Sequence, residues 1–399
     1  MTLAKTFCSA PWFQVRIDWD GQYRPCGGIN EKLSKFKGRT HYSLKDATVN
    51  EWMTSDYLQY VKQNLSCGTQ LAECNSCWKK EQNNIVSLRQ IANNTVSNNQ
   101  GDNLENSWVK LFIDRAESYQ DHLIISADVK LSNVCNFSCA MCSPNSSSKI
   151  YDRWKSDLDN KFVQLETTGQ PKYFDEIVLN FHTQKGYKHL QDILDYPIKN
   201  LKVLGGEPLL DKELFRVLQQ QPLDKKRQIT LHLVTNGSQN LVRAVDKLQG
   251  YKSINFSVSL EGVGKIQDYI RSGGDWFQIE QNILEAKQHE ISVSIHHTLQ
   301  ALSVLDLPDL LSWCRNNQLP IFFGLLENPT YLSVAVLPES IQKIVIDNFS
   351  KIEDNIIINL INNANSISGQ YQTFLEYIEW YERDFTTKLR DIQPLFYTG

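Results

Sequence analysis

The chain has 399 residues, 41% of them hydrophobic and 22% charged, with a formal net charge of -4. That composition suits two or three globular domains, or one large barrel with an attached module, and gives no electrostatic reason to expect nucleic acid or an anionic membrane as partner. No apolar run approaches the ~20 residues that span a bilayer, and the opening MTLAKTFCSAPW lacks a signal-peptide stretch, so a cytoplasmic location is expected.

In chain order, residues 12–19 alternate as a strand, Asp20-Gly21 marks a hairpin turn, and QYRPC returns as the second strand. Residues 45–65 read as a short helix, with Trp52, Tyr57, Leu58 and Val61 at helical spacing. Residues 1–80 are rich in Cys and Trp but too few for a large core, a shortage that a metal cluster would make good. Residues 81–120 begin as a polar helix and pass into the linker-like NNTVSNNQGDNLENS. Over residues 121–337 the pattern changes. Apolar strands at 122–132, 200–208, 229–237, 253–262, 291–299 and 320–326 alternate with helices, notably at 214–221, 240–248 and 276–288. Six such units predict an α/β fold with a parallel sheet, a partial (β/α)6 barrel. Residues 338–399 form a helical C-terminal extension whose aromatic YIEWYERDF is expected to pack as helix rather than to bind.

Eight of the nine cysteines fall in two groups: Cys8, Cys26, Cys67, Cys74 and Cys77, then Cys135, Cys139 and Cys142. In a large cytosolic chain such grouping points to metal or catalytic roles before disulfides. The second group is a C-x3-C-x2-C triplet on the loop after the first barrel strand. Three thiolates hold three irons of a cubane and leave the fourth without a protein ligand. A structural zinc would want a closed set of four, and no further Cys or His follows until His182.

The triplet resembles that of the radical S-adenosylmethionine (SAM) superfamily, and further segments extend the resemblance over roughly residues 120–335. Gly205-Gly206-Glu207-Pro208 is similar to the glycine-rich motif that meets the amino group of the methionine moiety, Thr235-Asn236-Gly237 to the end of the third strand, and Ser257-Val258-Ser259-Leu260-Glu261-Gly262 to the family's S-(I/L)-D-G, with Glu261 in place of Asp. Tyr269-Ile270-Arg271 followed by Trp276 resembles the segment whose Arg binds the cofactor carboxylate, a task suited to a planar, permanently charged fork. Met141 stands where the family usually has an aromatic residue near the adenine. The resemblance implies a [4Fe–4S] cluster on Cys135, Cys139 and Cys142. It also implies that S-adenosylmethionine is reductively cleaved to a 5′-deoxyadenosyl radical, with a flavodoxin- or ferredoxin-type electron donor. The cofactor contacts it implies are Met141, Gly205, Gly206, Glu207, Pro208, Asn236, Ser259, Glu261 and Arg271.

The first cysteine group, with Gly21-x4-Cys26 and Cys74-x2-Cys77, resembles the SPASM or twitch auxiliary-cluster module, here placed before the barrel rather than after it. A second, auxiliary [4Fe–4S] cluster on Cys8, Cys26, Cys74 and Cys77 is implied, with Cys67 as an alternative ligand. The spacing alone permits a four-cysteine zinc site as well. Fewer signals identify the residues that act on substrate. His296 and His297 end the fifth strand and alternation turns one inward, while Glu327 and Tyr331 follow the sixth; each is weighed against simple core or loop packing. Cys314 reads as a buried thiol on an outer helix. The expected substrate is a peptide or protein modified by cross-linking, epimerisation or oxidation. The alternatives are a small polar molecule such as a sugar or amino alcohol, and a non-catalytic iron–sulfur sensor.

Overall fold

Strands and helices alternate along the chain in the computed structural model, which describes residues 3–82, 86–97, 112, 121–167, 185–326, 328–351 and 370–397. The strands are β1 (Gln14–Ile17), β2 (Tyr23–Arg24), β3 (Ser126–Lys130), β4 (Asn200–Leu204), β5 (Thr230–Thr235), β6 (Ser253–Ser259), β7 (Ser292–Leu299) and β8 (Ile321–Leu325). They are ordered β2-β1-β3-β4-β5-β6-β7-β8 in an eight-stranded sheet. The six strands expected of the partial barrel are β3 to β8. The pairs β3–β4, β6–β7 and β7–β8 are parallel, as right-handed βα units require. Among the described residues no helix is long and apolar enough to cross a membrane.

The chain divides into two compact units, one drawn from residues 1–131, 179–204 and 220–231, the other from 132–178, 205–219 and 232–399. In the first, β1 and β2 form the expected antiparallel hairpin about Asp20-Gly21. The hairpin does not stand alone, because β1 runs parallel to β3 with Arg16 opposite Asp128. Two boundaries move from the sequence reading. Pro11 sits in the first turn of a short helix, Ala10–Phe13, so the strand starts only at Gln14. The single helix expected at 45–65 is two, Val49–Met53 and Asp56–Ser66. Thr48 and Glu51 close a capping box on the former, and the Ser55 hydroxyl accepts from Leu58 N–H at 3.3 Å to start the latter. These helices bury more than their length promised: Trp52 and Tyr57 lie 6.3 Å apart between Tyr42 and Phe36, both fully buried.

In the second unit, β7 buries Val293, Ile295, His297 and Leu299 on one side and leaves Ser294, His296 and Thr298 half-buried on the other. The helix Trp276–Gln288 has the predicted bounds. The C-terminal helix Tyr371–Tyr381 buries Phe374, Tyr377, Ile378, Trp380 and Tyr381, packing as expected, and it packs on the cysteine loop.

Candidate functional site

The C-x3-C-x2-C loop lies wholly in the second unit, and its backbone is held at alternate residues. Ser138 N–H donates to the Ser272 carbonyl at 2.7 Å and Ala140 N–H to the Ile270 carbonyl at 2.8 Å. Further on, Cys142 N–H closes a turn onto the Cys139 carbonyl at 3.0 Å. Cys139 lies within electrostatic range of both Cys135 and Cys142. Burial pushes the Cys135 thiol up to about 11 and Cys139 higher still. The compensating groups are Phe137 N–H, 3.5 Å from the Cys135 sulfur, and Arg271 Nη1, 3.9 Å from that of Cys139. Three thiols on one held loop could hold a cubane with one iron left open.

Gly205-Gly206-Glu207-Pro208 packs directly against the start of this loop. A Cβ on Gly206 would sit 2.2 Å from the Val134 carbonyl oxygen, and one on Gly205, whose φ is +146°, 2.7 Å from that of Ser132. The glycines thus serve backbone-to-backbone approach within the chain. Gly206 N–H and Glu207 N–H complete the seam by donating to the Ser132 and Val134 carbonyls at 2.9 and 2.7 Å. The Glu207 carboxylate is buried and accepts from Thr235 Oγ1, Asn236 N–H and Leu209 N–H at 2.8, 2.6 and 3.1 Å. Burial nevertheless lifts its pKa to about 6. Asn236 reaches back to Asn136 Oδ1 at 2.9 Å, inside the triplet, with its amide 3.9 Å from the Cys135 sulfur.

Arg271 Nη2 pairs with Glu261 Oε1 at 2.6 Å, and Glu261 Oε2 accepts from Thr298 N–H at 3.1 Å. The Glu that replaces the family's Asp therefore engages the Arg of the Tyr-Ile-Arg segment. Arg271 Nε, buried, has no hydrogen-bond partner among the described residues. His297 is fully buried, with Nδ1 3.0 Å from the Leu260 carbonyl and 3.6 Å from Glu261 Oε2, and burial lowers its pKa to about 4. His296 faces the other way, half-buried, in register with Ser259 of β6. Those two sequence-selected residues are brought side by side.

The first unit gathers the other cysteines. Cys8, Cys26, Cys74 and Cys77 wall one cavity of about 350 Å³, its open mouth included, whose remaining lining is largely apolar, with Leu65, Trp78 and Leu88. Burial raises the Cys8 and Cys74 thiols and puts Cys26 at about 11, partly offset by the Gly28 and Ile29 N–H groups that donate to the Cys26 sulfur. Cys67 is exposed at the end of the helix Asp56–Ser66 and is not among the lining residues. Sequence reading missed Arg89 and Asn93, which fix Cys8 from one face of the helix Leu88–Ser97. Arg89 donates to the Phe7 carbonyl at 2.8 Å, and Asn93 Oδ1 accepts from Ser9 N–H at 2.8 Å. Their i, i+4 spacing was the available signal.

Residues 129–313 match the sequence model of the radical SAM superfamily. The chain carries a radical SAM domain. The cofactors of that family are a [4Fe–4S] cluster and S-adenosylmethionine. Among curated proteins the chain is similar to a probable GTP 3′,8-cyclase of Methanocaldococcus jannaschii, 23% identical over 48% of this chain and 56% of the relative. It is also similar to a pre-heme d1 synthase of Dinoroseobacter shibae, 27% identical over 34% of this chain and 33% of the relative. The chain thus spans about half of the first relative's length and a third of the second's. Among solved structures it resembles anSMEcpe with bound AdoMet and Cp18Cys peptide, at 15% identity, 66% coverage of each chain and TM-score 0.38. It also resembles SuiB of Streptococcus suis, at 15% identity over 89% of this chain and 71% of that one, with TM-score 0.37.

The remaining sequence-selected residues are accounted for as follows. Met141 is half-buried beside Cys142, and Pro208 is buried. Tyr331 packs in an aromatic core, with ring centroids 5.2 Å from Phe162 and 4.8 Å from Tyr377. Cys314 is a buried thiol on the helix Leu307–Asn316. Glu327 lies outside the described residues, as does most of the linker at 98–120.

Proposed function

We propose that the protein is a two-cluster radical SAM enzyme that abstracts hydrogen from a peptide or protein substrate, leading to cross-linking, epimerisation or oxidation. The observation that carries the radical reading is the held cysteine loop, sealed against Gly205-Gly206 and flanked by Arg271, inside the matched domain. In this reading Cys135, Cys139 and Cys142 hold the radical cluster. When bound with S-adenosylmethionine, that group supplies one-electron reductive cleavage and a hydrogen-abstracting radical. The chain's own part is orientation and shielding. Strand-end backbone at Gly205–Pro208 and the free Nε edge of Arg271 provide acceptors and a donor for an amino-acid moiety, while Asn236 and Glu207 brace the strand ends behind it. Met141 covers the adenine side, and Ser259 and His296 stand on the half-buried face of β6 and β7.

Residues 1–80 act as an auxiliary-cluster module in the same reading, with Cys8, Cys26, Cys74 and Cys77 as ligands. Four thiols lining a mostly apolar cavity, Cys77 buried and the others half-buried, make a donor set suited to a closed cubane; a flavodoxin- or ferredoxin-type protein is the electron donor. A second substrate reading, a small polar molecule such as a sugar or amino alcohol, draws on one feature of the first unit. Arg24, Arg16, Asp128 and Lys202 stand in cross-strand register on β2, β1, β3 and β4, a half-buried charged row opposite the apolar face. Arg16 pairs with Asp18 at 3.2 Å and approaches Asp128 at 3.7 Å, so its charge is largely spoken for, which favours the peptide.

Anaerobic reconstitution, followed by dithionite and S-adenosylmethionine, should release 5′-deoxyadenosine detectable by mass spectrometry. A mixed peptide pool in deuterated and protiated forms then tests the substrate. Deuterium appearing in 5′-deoxyadenosine supports a peptide; transfer only from a pool of sugars and amino alcohols would point to the second reading.

A further inference from the structure

We propose that the C-terminal helix Tyr371–Tyr381 is part of the radical-cluster site, with Tyr377 and Tyr381 as positioning residues that hold the cysteine loop in its cluster-binding shape. The proposal rests on the radical SAM reading above.

The two residues on either side of Cys139, Ser138 and Ala140, are each held through both backbone groups. Their N–H groups donate to the carbonyls of Ser272 and Ile270. Their carbonyls accept tyrosine hydroxyls: Tyr381 donates to Ser138 at 2.9 Å, and Tyr377 donates to Ala140. The Tyr381 hydroxyl also lies 3.1 Å from the carbonyls of Tyr269 and Ile270, so one proton is shared between the loop and the segment that carries Arg271. Both tyrosines are buried, at 2% and 1% exposure, and their rings stack with centroids 6.0 Å apart.

The helix end that presents them is fixed in turn. Arg153 donates to the carbonyls of Trp380 and Tyr381 and lies over both rings. Glu382 accepts from the Tyr269 hydroxyl and from Leu389 N–H, each at 2.8 Å. Phenylalanines would fill the same core; only the hydroxyls reach the loop. A buried carbonyl deprived of its donor reorients toward another, and here that movement turns the peptides that aim the Cys139 thiol. Groups hydrogen-bonded behind the ligands of a metal centre govern its affinity and electronic character in this way.

The test compares reconstituted wild type, Tyr377→Phe and Tyr377→Phe/Tyr381→Phe by iron and sulfide content, and by EPR of the dithionite-reduced protein with and without S-adenosylmethionine. Wild type is expected to show a cofactor-dependent change in g values, which isolates the radical cluster from any other. The double variant is expected to lose roughly tenfold of that cofactor-dependent signal, and Tyr377→Phe to shift its g values at a smaller loss. A double variant with wild-type g values and amplitude overturns the positioning role. If the double variant does not fold, Tyr377→Phe decides alone, and unchanged g values overturn the proposal. Wild type without any cofactor-dependent change would instead overturn the radical SAM reading itself.

Discussion

The two cysteine sites are built on opposite principles. Around Cys135, Cys139 and Cys142 the protein supplies the shape. The loop is short, and the residues Ser138 and Ala140 on either side of Cys139 are each engaged through both N–H and carbonyl. Around the other cavity the ligand candidates come from separate stretches: Cys8 ahead of the first helix, Cys26 after β2, Cys74 and Cys77 at the head of the helix Asn75–Gln82. The Cys8, Cys26 and Cys74 thiols are raised by burial among apolar side chains, an environment that disfavours free thiolates. One site is a frame set by the chain's own hydrogen bonds. The other is a cavity whose contents would tie its walls together, and such sites couple metal binding to folding.

The largest expected effect breaks the frame. Replacing Cys135, Cys139 and Cys142 by Ala should reduce 5′-deoxyadenosine formation to background while leaving the melting temperature nearly unchanged. Cleavage that survived would remove the radical assignment. The same experiment on Cys74 and Cys77 should invert the pattern. Cleavage of S-adenosylmethionine persists, iron per chain falls by about half, and the first melting transition drops by at least about 5 °C. Equal effects from the two substitutions would erase the distinction drawn above.

A smaller effect concerns the charge that flanks the frame. Glu261→Gln leaves the Arg271 guanidinium without its 2.6 Å partner in a buried setting, which should cost about 3–5 kcal/mol by anaerobic chemical denaturation. A loss below ~1 kcal/mol would mean that water reaches the pair. The smallest concerns pH. Because His297 titrates at about 4 when folded and at its ordinary 6.5 when unfolded, the unfolded chain binds more protons between those values. Its contribution to stability is therefore complete above pH 6.5 and fades as pH falls toward 4. His297→Gln should flatten that acid limb; an unaltered limb would show that other groups dominate it.

Much of the second unit was legible because its chemistry is written contiguously. The triplet, Gly205–Pro208 and Tyr269–Arg271 each carry their message within a few residues, and β6 and β7 declare themselves by alternation. What stayed hidden depends on partners far apart in sequence. Nothing local to β1 says that it runs beside β3, since any alternating strand could pair there. Tyr377 and Tyr381 read as core-packing aromatics on a helix, which they are, and only the fold shows where their hydroxyls end. The glycines of Gly205-Gly206 were legible as a close approach, but the atoms approached, carbonyls of the chain's own 132–134 segment, were not. The break between the helices at Thr54 and Ser55 was written in the sequence as Thr48-x-x-Glu51 and Ser55, and a broad helical period masked it.

The clasp on the cysteine loop also bears on how the protein is made. Tyr377 lies 237 residues after Ala140, and Tyr381 lies 243 after Ser138. At about 5–20 residues per second of synthesis, the loop leaves the ribosome roughly 12–50 s before the residues that hold its carbonyls. During that interval the three thiols are displayed on an unbraced segment, open to oxidation and to the wrong metal. In the two-cluster reading, a cluster carried by Cys135, Cys139 and Cys142 would gain its backbone bracing only after synthesis has passed Tyr381.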